Sequence, residues 1–275
     1  MTRIAIFQST TGIDPGKNAS ALSDAIGEAA SGGAEMVFTP EMSGLLDRDS
    51  ARAAKSLRKE DQDEVLAACC EAARKHRIWL HIGSLAVLVD EAKVANRGLV
   101  IDNEGAIRAR YDKIHLFDVD LPTGESWRES NVYSAGKGVV LVNGTPVGKL
   151  GLTICYDLRF PTLFARLAEA DADLIAVPAA FTVPTGRAHW HILLRARAIE
   201  AGLFVVAAAQ VGRHADGRQT FGHSLAVDPW GEILLDMGEE PGLGFADIDL
   251  KRISDVRGRI PALTHRRPIP EAVTL

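Results

Sequence analysis

The stretch that decides the fold lies near the middle of the chain and reads Gly151-Leu152-Thr153-Ile154-Cys155-Tyr156-Asp157-Leu158-Arg159-Phe160-Pro161. Its first half alternates as a strand does, with Leu152 and Ile154 on one face and Thr153 and Cys155 on the other. The second half turns the chain into a segment with helical periodicity at 163–170. A strand, a turn and a helix in succession are a building unit of α/β proteins.

The alternation of strands and helices continues on both sides of this stretch. Further helices are predicted at 18–30, 61–76 and 189–201. Further strands are predicted at 4–8, 35–39, 78–85, 94–101, 106–113, 138–142, 147–155, 174–177, 203–209, 221–227, 232–235 and 244–248. Turn residues at 102–105 and the Asn143-Gly144 pair predict two hairpins among these strands.

This order of elements predicts an α/β protein whose mixed sheets are covered by helices. The sequence has neither an internal repeat nor a convincing linker, so we expect residues 1–275 to form a single domain. Pro261, Pro268 and Pro270 predict an extended C-terminal tail from about 255 onward.

Composition and charge argue against several classes of protein. The chain has 47% hydrophobic and 24% charged residues, which is ordinary for a globular domain, and a net charge of −5 without a basic stripe disfavours nucleic acid as a partner. No segment has the length of a membrane span, and the N-terminus lacks a signal-peptide pattern, so we expect a cytoplasmic protein. The three cysteines fit neither a disulfide framework nor a metal site.

Cys155 is the first candidate reactive residue. A cysteine at a strand-to-helix turn feels the positive end of the helix, which favours the thiolate, and N–H groups in such a turn can bind an oxyanion. A buried and inert cysteine fits this position equally well. Cys69 and Cys70 lie in an alanine-rich helical segment and are expected to act as small buried side chains.

Two charged residues also follow predicted strands. Glu41 comes directly after the strand at 35–39 and Pro40, where a carboxylate can act as a general base or simply be solvated. Lys113 ends the strand at 106–113 on its apolar face, where it either stabilises negative charge or extends to solvent. Ligands of α/β sheets bind beyond the carboxyl ends of strands, so these positions are candidates for one site.

The chain contains Pro40-Glu41, Tyr111-Asp112-Lys113-Ile114-His115-Leu116-Phe117-Asp118 and the stretch at 151–161, in that order. These three blocks resemble the catalytic blocks of the nitrilase superfamily of carbon–nitrogen hydrolases, and the resemblance extends from Arg3 to about Arg267. It implies a four-layer α-β-β-α sandwich with two mixed sheets. It also implies a catalytic triad formed by Glu41, Lys113 and Cys155.

The resemblance implies further features of the site and of the assembly. A fourth family residue, a glutamate that holds the lysine, matches Glu129 in Trp127-Arg128-Glu129-Ser130, and Glu125 is the alternative match. The implied reaction is hydrolysis of a small carboxamide through a cysteine thioester, with no metal and no organic cofactor. Members of the family pair as dimers, so a homodimer or a higher even oligomer is expected.

The residues after the nucleophile indicate a branch of the family. Cys155-Tyr156-Asp157 resembles the amidases that include deaminated-glutathione amidases and omega-amidases, and the run at 207–214 resembles the former more. An omega-amidase acting on 2-oxoglutaramate or succinamate and an N-carbamoyl hydrolase are the alternative enzymes. A catalytically silent binding protein on the same fold is the alternative outside enzymes.

Substrates of that branch carry a carboxylate, which an arginine can bind. Arg159 follows the nucleophile turn and Arg187 lies in the predicted loop at 182–187, although each also fits a surface or ion-paired arginine. Other candidate substrate contacts are the backbone N–H of Tyr156 and the side chains of Phe181, Thr182 and His189. Packing for Phe181 and Thr182, and capping or core packing for His189, are the alternatives.

Overall fold

The computed structural model describes residues 1–90, 93–120, 124 and 126–274. The helices are α1 Pro15–Ser31, α2 Ser50–Ala53, α3 Glu64–His76, α4 Pro161–Glu169, α5 Val183–Ala201 and α6 Lys251–Arg259. Short 3-10 helices cover Glu60–Gln62, Glu129–Asn131 and Cys155–Arg159. The strands are β1 Thr2–Gln8, β2 Met36–Phe38, β3 Arg58–Lys59, β4 Trp79–Leu88, β5 Val94–Ile101, β6 Ile107–Asp112, β7 Asp118–Asp120, β8 Ser126–Arg128, β9 Leu141–Thr145, β10 Gly148–Leu152, β11 Leu174–Ala176, β12 Phe204–Ala207, β13 Val211–Arg213, β14 Gln219–Phe221, β15 Leu225–Val227, β16 Ile233–Asp236 and β17 Gly242–Ile248.

Two large sheets organise the described part of the chain. The first runs in the order β17-β1-β2-β4-β5-β6, with β3 beside β4, and the second in the order β16-β15-β12-β11-β10-β9. In the first sheet β1, β2 and β4 are parallel neighbours, and in the second β10, β11 and β12 are. The outer pairs in both sheets are antiparallel, so both sheets are mixed, as the sequence predicts.

Side-chain alternation along the strands defines the layers. In β1 and β2, Ala5 and Val37 join an apolar cluster with residues of α1 and α3, while Ile4 and Met36 join the cluster that contains the second sheet. In β10, a side chain at Gly151 would contact Leu167 of α4, so the alternate residues of that strand face the first sheet. The order is therefore helices, sheet, sheet, helices, which confirms the predicted four-layer α-β-β-α sandwich.

The principal helices begin and end at residues that suit these positions. Asp14 and Asp63 accept hydrogen bonds from the first-turn N–H groups of α1 and α3 at 3.1 and 2.9 Å, as N-caps do. Helix α5 ends at Ala201, and the next residue, Gly202, has a left-handed φ of 56°, which favours glycine. No helix formed by the described residues is both long enough and apolar enough to cross a membrane.

The C-terminal segment differs from its prediction. An extended tail was expected from about 255, but the chain forms helix α6 up to Arg259, and within the C-terminal segment residues 260–274 form neither helix nor strand. Ile253 and Val256 are buried along one side of this helix, and their burial stabilises it although the nearby prolines suggest an irregular segment. The prolines begin at Pro261, directly beyond the helix.

Two further predictions are wrong in position. Asn143-Gly144 lies within β9, and the hairpin turn falls at Pro146 and Val147, because Val147 is fully buried in the core and fixes the turn there. Helix α5 begins at Val183 rather than at 189, so the predicted loop at 182–187 is the first part of a helix. Pro184 near its start is the signal that sequence reasoning overlooked.

Candidate active site

Three of the four predicted catalytic side chains form one ion network. The Lys113 ammonium donates to Oε1 of Glu41 at 2.9 Å and to Oε2 of Glu129 at 2.8 Å. Lys113 directly follows β6, Glu41 lies just beyond β2, and Glu129 begins a 3-10 helix after β8. Because strand ends of the first sheet deliver two of these groups to the same place, residues distant in sequence meet in space.

Asn96 of β5 joins the two carboxylates from a second direction. Its Nδ2 donates to Oε1 of Glu41 at 3.0 Å and to Oε1 of Glu129 at 3.1 Å. The N–H of Phe117 also donates to Glu129 at 2.7 Å, and the N–H of Ala180 donates to Oε2 of Glu41 at 3.0 Å. Each carboxylate is therefore held by several donors, and charge-assisted hydrogen bonds of this kind fix orientation.

Cys155 lies at the tight turn between β10 and α4. Strand β10 ends at Leu152, earlier than predicted, and Cys155 begins the 3-10 helix with a φ of 50°. Non-glycine residues rarely adopt the left-handed region, and those that do are found disproportionately at functional sites. The Cys155 N–H donates to the carbonyl of Pro178 at 2.8 Å, which ties the turn to the segment after β11.

The buried carboxylate of Asp157 completes this turn. It accepts from the N–H of Ile154 at 2.8 Å, from the hydroxyl of Tyr111 at 2.6 Å and from the N–H of His115 at 3.1 Å. The His115 ring stacks on Phe160 with 3.6 Å between centroids, and its Nδ1 lies 2.7 Å from Oδ1 of Asp157. Asp157 thus links the nucleophile turn to the block that carries Lys113.

Burial and charge set the ionisation of the nucleophile and the lysine. Burial raises the pKa of the Cys155 thiol, the carboxylate of Glu41 raises it further, and the opposing effect of Lys113 is smaller. The expectation of a favoured thiolate is therefore wrong, because desolvation outweighs the field of the turn. Burial works against the charge of Lys113, but the carboxylates of Glu129 and Glu41 prevail and raise the pKa of Lys113 well above its usual value.

Four of the predicted substrate contacts lie together. The guanidinium of Arg159 is 5.9 Å from the ring of Tyr156 and 5.7 Å from the ring of Phe181, and its Nη2 is 3.3 Å from Nδ1 of His189. Phe181 immediately follows Ala180, whose N–H holds Glu41, so this group adjoins the ion network. No carboxylate of the described residues forms an ion pair with Arg159.

The remaining candidates have different surroundings. Thr182 is the residue before α5, and its hydroxyl lies 2.8 Å from that of Thr185 at the start of the helix. Arg187 is exposed within α5, and His189 is also exposed, so His189 neither caps a helix nor packs in the core. Glu125, the alternative to Glu129, lies outside the described residues.

Sequence reasoning missed Asn96, Asp157 and the backbone of Ala180. Asn96 lies in a strand whose other residues are mostly apolar, and a buried polar side chain there needs a partner, which was a usable signal. Asp157 appears within the quoted block but was not given a role of its own. A backbone N–H leaves no trace in a sequence, so Ala180 could be found only from the fold.

The comparisons with known proteins identify the class that this fold and site define. The family model described as carbon-nitrogen hydrolase matches residues 3–258. The chain belongs to the carbon–nitrogen hydrolase family, and the prediction of a hydrolase of the amidase kind is confirmed.

Individual relatives cover most of this chain. The deaminated glutathione amidase of Yersinia enterocolitica is 39% identical over 98% of this chain and 94% of its own length. The nitrilase and fragile histidine triad fusion protein NitFhit of Caenorhabditis elegans is 42% identical over 96% of this chain, which spans 60% of that relative. Its crystal structure superposes with a TM-score of 0.89, covering 97% of this chain and 65% of the solved one.

A more distant solved structure concerns the reactive residue. It is a variant of the amidase from Nesterenkonia sp. AN1, 27% identical to this chain, with a TM-score of 0.79 over 95% of this chain and 98% of the other. Its description records Michael addition of acrylamide at the active-site cysteine of that amidase.

Proposed function

We propose that this protein hydrolyses a small carboxamide, with Cys155 as nucleophile, Glu41 as general base and acid, and Lys113 and Glu129 as their charged partners. The observation that carries the proposal is the buried Lys113 ammonium, 2.9 Å from Glu41 and 2.8 Å from Glu129, beside a thiol whose pKa responds to both Glu41 and Lys113. A buried cation shared by two carboxylates is costly to desolvate, so its presence supports a function.

The raised pKa of Cys155 defines how the reaction begins. The thiol is protonated in the resting enzyme, so Glu41 accepts its proton while the sulfur bonds to the amide carbon. The carbonyl electron pair moves to oxygen, where the Lys113 ammonium and the N–H of Tyr156 stabilise the negative charge. One such donor contributes about 3–4 kcal/mol to lowering the barrier.

The intermediate then collapses and the C–N bond breaks. Glu41 returns the proton to the leaving nitrogen, and the acyl group stays on sulfur as a thioester. Water next attacks the thioester carbon and gives one proton to Glu41. When the C–S bond breaks, that proton passes to the sulfur, so the free acid leaves and Cys155 is a thiol again.

The replacement Cys155→Ala tests the nucleophile. We expect turnover to fall to background, while circular dichroism and thermal unfolding stay close to wild type because the lost side chain is small. Mass spectrometry of the wild-type enzyme mixed with amides should detect an acyl adduct on the peptide containing Cys155. Retained turnover in Cys155→Ala would falsify this assignment, and inactivity of the wild type on every amide would favour a silent binding protein.

We further propose that the substrate carries a carboxylate bound by Arg159 and that it is deaminated glutathione. Support comes from the similar amidases of that name and from an arginine that adjoins the site without an ion-pair partner among the described residues. A substrate of the omega-amidase type, 2-oxoglutaramate or succinamate, or an N-carbamoyl acid would use the same arginine. Arg159→Met should raise KM for carboxylate-bearing amides much more than it lowers kcat, and Arg187→Met serves as the matched control.

A homodimer is proposed on the basis of the outer face of α5. Ile192 and Ile199, two helical turns apart, are 70% and 51% exposed, and Trp230, near Ile199, is 45% exposed. Large apolar side chains gathered in this way mark interaction surfaces. Ile192→Asp should convert the dimer to a monomer in light scattering, whereas Val273→Asp in the tail should not, and a monomeric wild type refutes the proposal.

We also propose a single domain and a cytoplasmic location. One apolar cluster contains residues of both large sheets, as expected for one folding unit. All three cysteines are unpaired, which fits a reducing compartment. A single cooperative unfolding transition and fractionation of the native host cell test these two points.

A further inference from the structure

A second group of side chains that could bind a ligand lies outside the site around Cys155. Among the described residues, His191, His223 and Asp236 bring one ligand atom each to within 4.8 Å of one another. Nε2 of His191 lies 2.9 Å from Oδ2 of Asp236, and Nδ1 of His223 lies 2.9 Å from Oδ1. His191 and Asp236 are 45 positions apart and His223 and Asp236 are 13 apart, so the cluster has no local sequence motif.

The fold holds each member of this cluster. The backbone of His223 has a φ of 54°, its N–H donates to Gly238 at 2.7 Å, and its carbonyl accepts from Nε1 of Trp190 at 2.7 Å. Its ring stacks on Phe221 with 4.5 Å between centroids. Oδ1 of Asp236 accepts from the N–H of Gly238 at 2.9 Å. Partners of this kind orient the groups of metal sites, because they fix ligands before the metal arrives.

We infer that His191, His223 and Asp236 form a binding site for a divalent transition-metal ion such as Zn²⁺. Two imidazole nitrogens and a carboxylate oxygen are ligands that zinc accepts in proteins. Zn–N bonds of about 2.0 Å in a tetrahedron place the ligand atoms about 3.3 Å apart. The two His–Asp separations of 2.9 Å are close to that spacing, and the three ligand atoms all lie within 4.8 Å of one another, so rotation of the side chains can bring them around one ion.

The charge and the exposure of the cluster agree with an ion that enters from solvent. The side chains of His191, His223 and Asp236 are partly exposed, with relative exposures of 31%, 22% and 33%. Both carboxylate oxygens of Asp236 already face the imidazole nitrogens, each at 2.9 Å, so the carboxylate is placed where a ligand is needed. On binding, each neutral imidazole presents an unprotonated nitrogen to the ion and carries its proton on the other ring nitrogen, and water molecules complete the coordination.

The site ties together helix α5, the segment before β15 and the end of β16. The ligands come from these three elements, so a bound ion would cross-link them and stabilise their arrangement. The cluster contains none of the residues of the proposed catalytic network. The inference is therefore independent of the proposed hydrolase activity.

Calorimetric titration of the metal-free 275-residue chain with Zn²⁺ tests this inference. Wild type and Cys155→Ser are both expected to bind one ion per chain, since the cluster and not the thiol is the site. His191→Phe keeps an aromatic ring but removes the ligand nitrogen, and Asp236→Asn keeps a hydrogen-bond acceptor for the imidazoles. Each should weaken binding about tenfold or more, because removal of even an outer partner of a metal site has that effect.

His265→Phe, a change at an exposed histidine outside the cluster, is the matched control and should bind Zn²⁺ as wild type does. Circular dichroism of each variant establishes that the fold is retained, and Asp236→Asn covers the case in which His191→Phe does not fold. The inference is overturned when wild type binds no Zn²⁺, when both cluster variants bind it undiminished, or when Cys155→Ser alone abolishes binding.

Discussion

At the residue scale, the site depends on where buried charges find partners. Lys113 is only 2% exposed and would be strongly destabilising without Glu41 and Glu129. Asn96 matters for the same reason, since its amide group donates to both carboxylates and reduces their mutual repulsion. The Asn96 amide must direct its NH₂ group at the carboxylates, because in the reversed orientation its oxygen would face two negatively charged groups.

Asn96→Leu tests the role of this amide. The variant keeps a similar volume but removes two hydrogen bonds to charged groups, each of which typically contributes about 1.5–3 kcal/mol. We expect kcat to fall about 30-fold, which corresponds to about 2 kcal/mol, while KM changes little because Asn96 positions Glu41 rather than substrate. Steady-state kinetics on an amide substrate measures this.

The control for that experiment is Asn103→Leu, at an exposed position in the turn between β5 and β6. It should leave both kinetic constants unchanged. If Asn96→Leu retains the wild-type kcat, or changes KM alone, Asn96 does not position Glu41.

At the element scale, the strands position the functional groups and determine how deeply individual side chains are buried. Strands β2 and β6 of the first sheet precede Glu41 and Lys113, and β10 of the second precedes Cys155. The same burial affects groups outside the site. His81 of β4 is 1% exposed, and its Nδ1 has no hydrogen-bond partner among the described residues.

His81 predicts a pH dependence of stability. Burial lowers the pKa of His81 from 6.5 to about 3, so the unfolded chain binds this proton at a higher pH than the folded chain does. The contribution of neutral, buried His81 to the free energy of unfolding is therefore fully present above about pH 6.5 and decreases as the pH falls towards 3. The slope contributed by one such group is at most about 1.4 kcal/mol per pH unit.

Urea unfolding at pH 7 and pH 5 measures this effect. His81→Leu should lose less stability between the two pH values than wild type does, because its side chain does not titrate. His265→Leu, at an exposed histidine, should retain the wild-type dependence. Identical pH dependences for His81→Leu and wild type would show that the imidazole is already protonated in the folded chain.

At the scale of the whole molecule, the two sheets approach closely beside the site. A side chain at Gly83 of β4 would lie 2.1 Å from the carbonyl of Thr39 and 2.4 Å from Cβ of Pro178. Thr39 precedes Pro40 and Glu41, and the carbonyl of Pro178 accepts from Cys155. Gly83 therefore permits the close approach of the segments that carry the general base and the nucleophile.

Gly83→Ala should separate these segments. The added methyl group has no space, so we expect a loss of about 1–3 kcal/mol in the free energy of unfolding together with a fall in kcat. Denaturant unfolding and kinetics measure the two effects. Gly138→Ala, where the added group meets nothing within 4 Å, is the control and should retain stability and activity. An active Gly83→Ala protein of wild-type stability contradicts this account of the sheet contact.

The sequence by itself determined the class of fold, most of the elements and the identities of Glu41, Lys113, Glu129 and Cys155 as candidates. Alternation and helical periodicity are local properties, and motif blocks keep their order along the chain. Helix boundaries depend on more than the local pattern: α5 begins at Val183 and not at 189, and helix α6 was not predicted at all.

Only the tertiary structure decided which residues meet. The strand orders β17-β1-β2 and β15-β12-β11 are not sequential, so contacts such as Glu41 to Ala180 or His191 to Asp236 follow from the packing of the sheets and not from any local pattern. The protonated state of Cys155 was decided in the same way. Its pKa depends on the loss of water and on charges contributed by distant segments, and these arise only when the chain has folded.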